Sequence, residues 1–228
     1  TRAIAVVAHP DDLEYGAASA VARWTGQGKT IAYCMVTSGE AGIGSIAPRE
    51  CGPLREDDER RSAAVVGVTT VEFLHHPDGL VEPSIALRRD LTAVIRRHRP
   101  DVLIGINHHD AWPGGWNHID HRVVGVAMLD AARDAGNRWL FTDSGDPWVG
   151  VKWIAYGSST EPTHVVDVTD TMSQDSKAVT LGVGKMLLQF ALAVDDMADK
   201  LAIPIARIIE VTDKAVVMDA PAAEEATV

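Results

Sequence analysis

Two short clusters of histidine and carboxylate residues dominate the chemistry of this sequence. The first, HPDD at residues 9–12, directly follows the apolar run AIAVVA at residues 3–8. The second, HIDH at residues 118–121, follows another apolar segment and a polar loop. Catalytic zinc commonly takes three nitrogen or oxygen ligands from the protein and leaves a fourth position for water. Two histidines and one carboxylate from these clusters meet that requirement, and a carboxylate left over can accept a proton from the water.

The spacing inside each cluster allows its side chains to face one crevice. His9 and Asp12 are separated by a turn that contains a proline, which can aim both side chains the same way. His118 and His121 are three residues apart at the start of a predicted helix, so they can share a face. Zinc lowers the pKa of a bound water to about 7, which supplies a hydroxide nucleophile at neutral pH.

Apolar runs alternate with segments of helical period over the first two-thirds of the chain. The predicted strands are residues 3–8, 30–37, 69–74 and 100–106, and the predicted helices are residues 13–26, 54–66, 84–98 and 119–135. Such βαβ repeats indicate a single α/β domain with a Rossmann-like, mostly parallel, doubly wound sheet and helices on both faces. The two clusters follow the first and fourth strands, and ligands bind at that edge of such sheets.

The pattern loosens beyond residue 140. We predict further strands at residues 151–157, 163–169 and 206–213, a helix at residues 170–193, and a flexible acidic tail at residues 219–228. The sequence contains no linker and no internal repeat. We therefore predict one domain over residues 1–228, with the motifs confined to residues 3–135.

Composition excludes several classes of function. The formal net charge of −11 argues against a nucleic-acid partner. We expect no membrane span, because no apolar run reaches about 18 residues, and no signal peptide, because the first apolar run continues into His9. The sequence has only two cysteines, Cys34 and Cys51, which suits the reducing cytoplasm. The expected partner is a small molecule, and a homo-oligomer remains open.

The motifs together resemble the LmbE/PIG-L family of zinc-dependent N-acetylglucosamine deacetylases. The family pattern opens with Ala-His-Pro-Asp-Asp-Glu and later shows His-Pro-Asp-His, which resemble AHPDDLE and HIDH here. Further matching segments follow in order: TSGEAG at residues 37–42, LREDDERRSAAVVGV at residues 54–68, HHPDGL at residues 75–80, IRRHRPDVLI at residues 95–104 and, more weakly, VVDVTD at residues 165–170. The resemblance implies hydrolysis of an N-acetyl or other N-acyl group from an amino sugar or its conjugate.

The resemblance also implies the central site residues. It makes His9, Asp12 and His121 the ligands of one zinc ion per chain, with Fe²⁺ as the alternative metal. It makes Asp11 the general base that activates water. The spacing alone does not decide between the two aspartates.

Four further residues are assigned more peripheral roles by the same resemblance. His118 stabilises the developing oxyanion or protonates the leaving amine, and Asp120 tunes its charge. Arg55 holds substrate hydroxyls or a phosphate. Trp116 stands where one branch of the family has a tyrosine, and its indole either stacks on a sugar ring or packs in the ordinary way.

Several departures from the family pattern leave the substrate open. Ile119 replaces the usual proline, and the segment after Lys177 lacks the family's histidine. An amidase acting on a larger thiol or glycopeptide conjugate and a catalytically silent sugar-binding protein therefore stay as alternatives. The HHD sequence at residues 108–110 is interpreted as a polar loop rather than as a second metal site.

Overall fold

The computed structural model describes residues 1–112, 115–160 and 162–171 of the chain. The strands in these ranges are β1 (Arg2–Val7), β2 (Thr30–Met35), β3 (Val71–Phe73), β4 (Val102–Ile106), β5 (Ala111–Trp112), β6 (Gly115–Trp116) and β7 (Trp153–Gly157). The helices are α1 (Ala18–Gly26), α2 (Pro48–Val65), α3 (Ile85–His98) and α4 (Ile119–Ala135). None of the helices in the described ranges is long and apolar enough to cross a membrane.

Five of the strands form one parallel sheet in the order β3-β2-β1-β4-β7. β1 lies in the middle, with Val6 opposite Cys34 of β2 and Ile4 opposite Leu103 of β4. The strand order reverses at β1, so the loops after β1 and β4 leave the same edge next to each other. This arrangement confirms the predicted parallel, doubly wound sheet and makes that edge the natural ligand site.

Both faces of the sheet are covered by helices, as predicted. Successive side chains of a strand point to opposite faces, so β1 contributes to two cores. Ala5 and Val7 belong to a cluster that includes Val21 of α1, whereas Ile4 belongs to a second cluster that includes Leu91 of α3. All five side chains are at most 1% exposed. Their burial fixes the central strand and therefore the position of the residues that follow it.

The element boundaries differ from the predictions where turns intervene. α1 begins at Ala18 rather than at residue 13, because residues 10–17 form turns after β1. α2 begins earlier than predicted, at Pro48, whose missing N–H is not needed in the first helical turn. The polar loop after β4 contains a short hairpin, β5–β6, that the sequence analysis did not predict.

The predicted strand at residues 163–169 is wrong. Val166 and Val168 are buried, which produces the alternating pattern of a strand, yet this segment does not pair with the sheet. The segment instead packs against α1, where Thr171 Oγ1 donates to Ser19 O at 2.8 Å. The predictions for residues 206–213 and 219–228, and for nearly all of residues 170–193, lie outside the described residues.

A buried guanidinium joins α3 to the end of α4. Arg96 is 3% exposed, and its N–H groups donate to the carbonyl oxygens of Asp134, Ala135, Asn137, Leu140, Phe141 and Gly145. The cation also lies at the helix C-terminus, where the helix dipole favours positive charge.

We expect Arg96→Met to lower the free energy of unfolding by about 3 kcal/mol or more, because it leaves several buried carbonyls without a donor. Thermal and urea unfolding measure the effect. Arg89→Met, at an exposed position on the same helix, is the control; it loses one contact with the ring of Phe141 and should change stability by no more than about 1 kcal/mol. Equal stability of the two variants would contradict a structural role for Arg96.

Candidate metal centre

The first half of the site is a turn that directly follows β1. The Oδ2 atom of Asp12 accepts hydrogen bonds from Ala8 N at 3.0 Å and from His9 N at 2.9 Å. These two bonds fix the carboxylate over the start of its own turn. They leave Oδ1 directed towards the histidines described next.

The second half of the site is the start of α4. His118 is the N-cap of this helix, and its Nδ1 accepts from Asp120 N at 3.1 Å. His121 lies one turn into the helix, with its Nε2 3.1 Å from His9 Nδ1 and 3.0 Å from Asp12 Oδ1. His9 Nδ1 is 3.8 Å from Asp12 Oδ1. The structure therefore brings together the three predicted ligands from the two sequence motifs.

Hydrogen bonds on the far side of each imidazole orient its lone pair. Asn117 Nδ2 donates to the carbonyls of Asn107 and His109 at 2.7 and 2.9 Å, which identifies its Oδ1 as the atom 2.9 Å from His121 Nδ1. An amide oxygen only accepts, so His121 carries its proton on Nδ1 and presents a lone pair on Nε2. His9 Nε2 lies 3.1 Å from Asp120 Oδ2, so a His9 ring that gives up one proton to bind a metal keeps the proton on Nε2 and presents a lone pair on Nδ1.

The donor set fits a zinc ion. Zinc bonds to nitrogen and oxygen are about 2.0–2.2 Å long, so two ligand atoms of a tetrahedral site lie about 3.3 Å apart. The three pairwise distances here are 3.0, 3.1 and 3.8 Å. A second group of donors within reach of one another, formed by His9, His118 and Asp120, shares His9 with the first. Its Asp120 carboxylate already accepts two backbone hydrogen bonds.

The charges around His9 favour a cation at this position. Burial lowers the pKa of His9, but hydrogen bonds to Asp12, Asp120 and Asp78 outweigh burial and raise the pKa to about 12. The pKa of Asp12 lies below its usual range, because bonds to His121 and His9 outweigh the effect of its burial. A divalent metal at this position would replace the second proton of His9 as the positive charge that faces these buried carboxylates.

Asp11, next to Asp12 in the chain, is paired with an arginine rather than with the histidines. Burial raises the pKa of Asp11 to about 6, against the opposing effect of the Arg55 guanidinium. Arg55 Nη2 is 2.8 Å from Asp11 Oδ2, and the arginine side chain is only 7% exposed. A carboxylate with a pKa near the working pH suits a general base.

Asp120 and Asp78 both approach the outer nitrogen of His9. Asp120 is fully buried, and its carboxylate accepts from the backbone N–H groups of Gly79 and Val81 at 2.8 and 3.1 Å. Its carboxylate contacts His9 more closely than His118, whose Nδ1 is 3.9 Å away. The structure therefore contains a contact through which Asp120 orients His9. The effect of Asp120 on the charge of His118 stays a prediction.

Asp78 is a site residue that the sequence analysis did not identify. Its Oδ1 lies 3.1 Å from His9 Nε2, and its side chain is 7% exposed. Its Oδ2 accepts from Ala41 N at 2.8 Å, and its own N–H donates to Glu40 Oε1 at 2.9 Å. The segment HHPDGL could have indicated this residue, since it follows β3 at the same edge of the sheet as the two motifs. The sequence analysis gave its aspartate no role.

The other residues that the sequence singled out have more exposed positions or contacts outside the first donor group. The His118 side chain is 47% exposed. Trp116 in β6 is 93% exposed. His108 packs against the ring of Tyr156, with centroids 4.3 Å apart, and Asp110 pairs with Arg122 at 3.0 Å. Neither His108 nor Asp110 belongs to a group of metal donors in the described ranges.

Comparison with known proteins identifies the family. Residues 4–132 match the sequence profile of the family PIG-L: GlcNAc-PI de-N-acetylase. This match covers more than half of the chain. The chain belongs to the PIG-L family. The resemblance predicted from the HPDD and HIDH motifs is therefore confirmed.

Two curated relatives of this PIG-L protein carry deacetylase names. The diacetylchitobiose deacetylase of Thermococcus kodakarensis is 27% identical over 78% of this chain and 67% of that protein. The 1D-myo-inositol 2-acetamido-2-deoxy-alpha-D-glucopyranoside deacetylase 2 of Saccharopolyspora erythraea is 24% identical over 63% of this chain and 60% of that protein. Deacetylases hydrolyse amide bonds, and the expectation of an amide hydrolase is confirmed.

A solved structure supports the fold. The N,N'-diacetylchitobiose deacetylase of Pyrococcus horikoshii, complexed with its inhibitor MPG, matches with a TM-score of 0.75 at 21% identity. The match covers 91% of this chain and 83% of that chain. The predicted single α/β fold with a parallel sheet is the fold of this PIG-L protein.

We expect Asn117→Ala to weaken zinc binding by about 10- to 100-fold, because His121 loses the acceptor that fixes its tautomer. Competition with a fluorescent chelator measures the zinc affinity. The ¹⁵N shifts of His121 in the metal-free protein report the tautomer directly. Asn137→Ala, at the other end of α4, is the control, and equal zinc affinity in the two variants would contradict this role for Asn117.

Proposed function

We propose that this protein is a zinc-dependent hydrolase that removes an N-acetyl group from an amino sugar or its conjugate. The observation that carries the proposal is the convergence of His9 Nδ1, Asp12 Oδ1 and His121 Nε2, with the buried carboxylate of Asp11 next to Asp12 in the chain and within the electrostatic influence of Asp12 and His9. The first three supply the ligands, and the fourth supplies a base. Binding alone does not require that base.

The residues around the ligands divide the proton transfers of amide hydrolysis between them. A zinc ion held by His9, Asp12 and His121 would lower the pKa of water at this position to about 7 and so supply the nucleophile. Asp11 takes the proton as the water oxygen attacks the acyl carbon. His118, whose Nδ1 accepts from Asp120 N, stabilises the oxyanion by donating a hydrogen bond from Nε2. The proton that Asp11 took then passes to the nitrogen as the C–N bond breaks, either directly or through His118. The products are acetate and the free amine.

The substrate assignment draws on the relatives and on the surface of the site. Both curated relatives are named for substrates that contain an acetylated amino sugar. Trp116 is almost fully exposed, two residues before His118, and an exposed indole there can stack on a sugar ring. We therefore propose N-acetylglucosamine or a short conjugate of it as the substrate. We also propose one zinc ion per chain and a cytoplasmic location, the latter because Cys34 and Cys51 are both buried free thiols.

An amine-release screen with the zinc-loaded protein tests this function. The panel contains N-acetylglucosamine, N,N'-diacetylchitobiose, an N-acetylglucosaminyl inositol, a thiol conjugate and an N-acylated glycopeptide. We expect stoichiometric amine and acetate from one or more of the first three. Release of amine only from the thiol conjugate or the glycopeptide would show that the substrate is a larger conjugate rather than N-acetylglucosamine or a short conjugate of it. Binding of the sugars without release from any compound would favour a silent sugar-binding protein and overturn the proposal.

A further inference from the structure

A buried guanidinium lies behind the carboxylate of Asp11. Arg55 comes from α2, and its Nη2 binds Asp11 Oδ2 at 2.8 Å and also donates to Pro10 O. Its Nη1 donates to Gly39 O at 3.1 Å. The side chain thus connects the turn after β1 with the loop after β2, and it does so with 7% of its surface exposed.

The loop after β2 is shaped around this guanidinium. A Cβ atom added at Gly39 or at Gly42 would lie 2.4 Å from Arg55 Nη1. Gly39 also has a φ of +61°, a conformation that glycine adopts without strain. Side chains at these two positions would displace the arginine, so the loop forms a socket for it.

The backbone of Asp11 needs support from its surroundings. Its φ is 113°, a conformation that residues with a side chain rarely adopt. Such residues persist only where the neighbouring structure holds them. Arg55 binds both the carbonyl just before Asp11 and the carboxylate of Asp11 itself, so one side chain fixes the residue at two points.

We propose that Arg55 is a positioning residue that fixes the Asp11 carboxylate next to Asp12, where it would take a proton from the attacking water, rather than a ligand for substrate hydroxyls or phosphate. The proposal rests on the proposed function only where it takes Asp11 to be the general base. That Arg55 fixes the position of Asp11 does not depend on it. A substrate-binding arginine offers its N–H groups to the crevice, whereas here both terminal nitrogens donate to protein oxygens. Lysine cannot replace it, because an ammonium lacks the planar fork that reaches these acceptors together.

Steady-state kinetics of Arg55→Met and Arg55→Lys separate the two roles. With N-acetylglucosamine and N,N'-diacetylchitobiose as substrates, we expect kcat to fall by about 100-fold, since a small misplacement of a catalytic group has that effect. KM should stay within about twofold for both substrates, and zinc affinity should not change. Arg49→Met, at an exposed position on the same helix, is the control. A rise in KM that differs between the two substrates, with kcat retained, would overturn the proposal.

A crystal structure of the zinc-loaded Arg55→Met protein tests the same point without any turnover. We expect Asp11 to leave its positive φ and its carboxylate to turn away from the metal. An unchanged Asp11 would overturn the positioning role even if activity falls. If Arg55→Met does not fold, Arg55→Lys decides by the same two measurements. A wild-type protein inactive on the whole substrate panel would contradict the proposed function, whereas the position of Asp11 in the variant still tests this inference.

Discussion

Replacing Asp11 with asparagine should lower kcat for amide hydrolysis by about 10²- to 10⁴-fold, the usual contribution of a general base. Asparagine has nearly the same shape as aspartate, but its neutral amide does not accept a proton from water. The zinc content should stay at one ion per chain, because the three ligands are unchanged. Turnover of the substrate found in the screen and metal analysis of the purified variant are the two measurements.

Asp57→Asn is the matched control for this substitution. Asp57 lies on α2, its side chain is 69% exposed, and its loss should leave kcat unchanged. An Asp11→Asn protein with full activity would show that another group is the base. A variant that instead loses its zinc would show that Asp11 is a ligand.

Replacing His121 with alanine should remove both the metal and the activity. The remaining ligands, His9 and Asp12, come from one turn and cannot surround an ion from two sides. We expect zinc affinity to fall by more than about 100-fold, a larger loss than a residue behind a ligand produces. Chelator competition measures the affinity, and unfolding of the metal-free proteins checks that the fold is intact.

His109→Ala is the control, since it too removes an imidazole, here an exposed one that belongs to neither group of metal donors. It should retain zinc and activity. Retention of tight zinc binding by His121→Ala would mean that the ion binds elsewhere, for example at the group containing His118 and Asp120.

The elements that position the site were predictable because their signals are local. The run at residues 3–8 is apolar throughout, as a strand buried on both faces must be, and it became β1 with a shift of one residue. α4 was predicted with its observed bounds, Ile119–Ala135, since apolar residues at helical spacing, among them Val124, Ala127 and Ala131, mark its buried side. The alternation at residues 163–169 does not distinguish a strand from an irregular segment, because burial against a helix produces the same pattern as burial in a sheet.

The centre of the site was accessible from the sequence, whereas its surroundings were not. His9, Asp12 and His121 are metal-binding residue types in motifs that follow two strands, and parallel strands place such motifs at one edge. The partners of those residues come from other loops. Asp78 contacts His9 across 69 positions of sequence, and Arg55 contacts Asp11 across 44. Their roles depend on how loops pack together, which residue type and spacing do not specify.

Removal and return of the metal tests the central claim most directly. Treating the protein with a chelator until metal analysis finds no zinc should abolish release of amine from the acetylated amino sugar. Adding one equivalent of Zn²⁺ per chain should restore it in the wild-type protein but not in Asp11→Asn. Full amide hydrolysis by protein shown to be free of divalent metal would contradict the account.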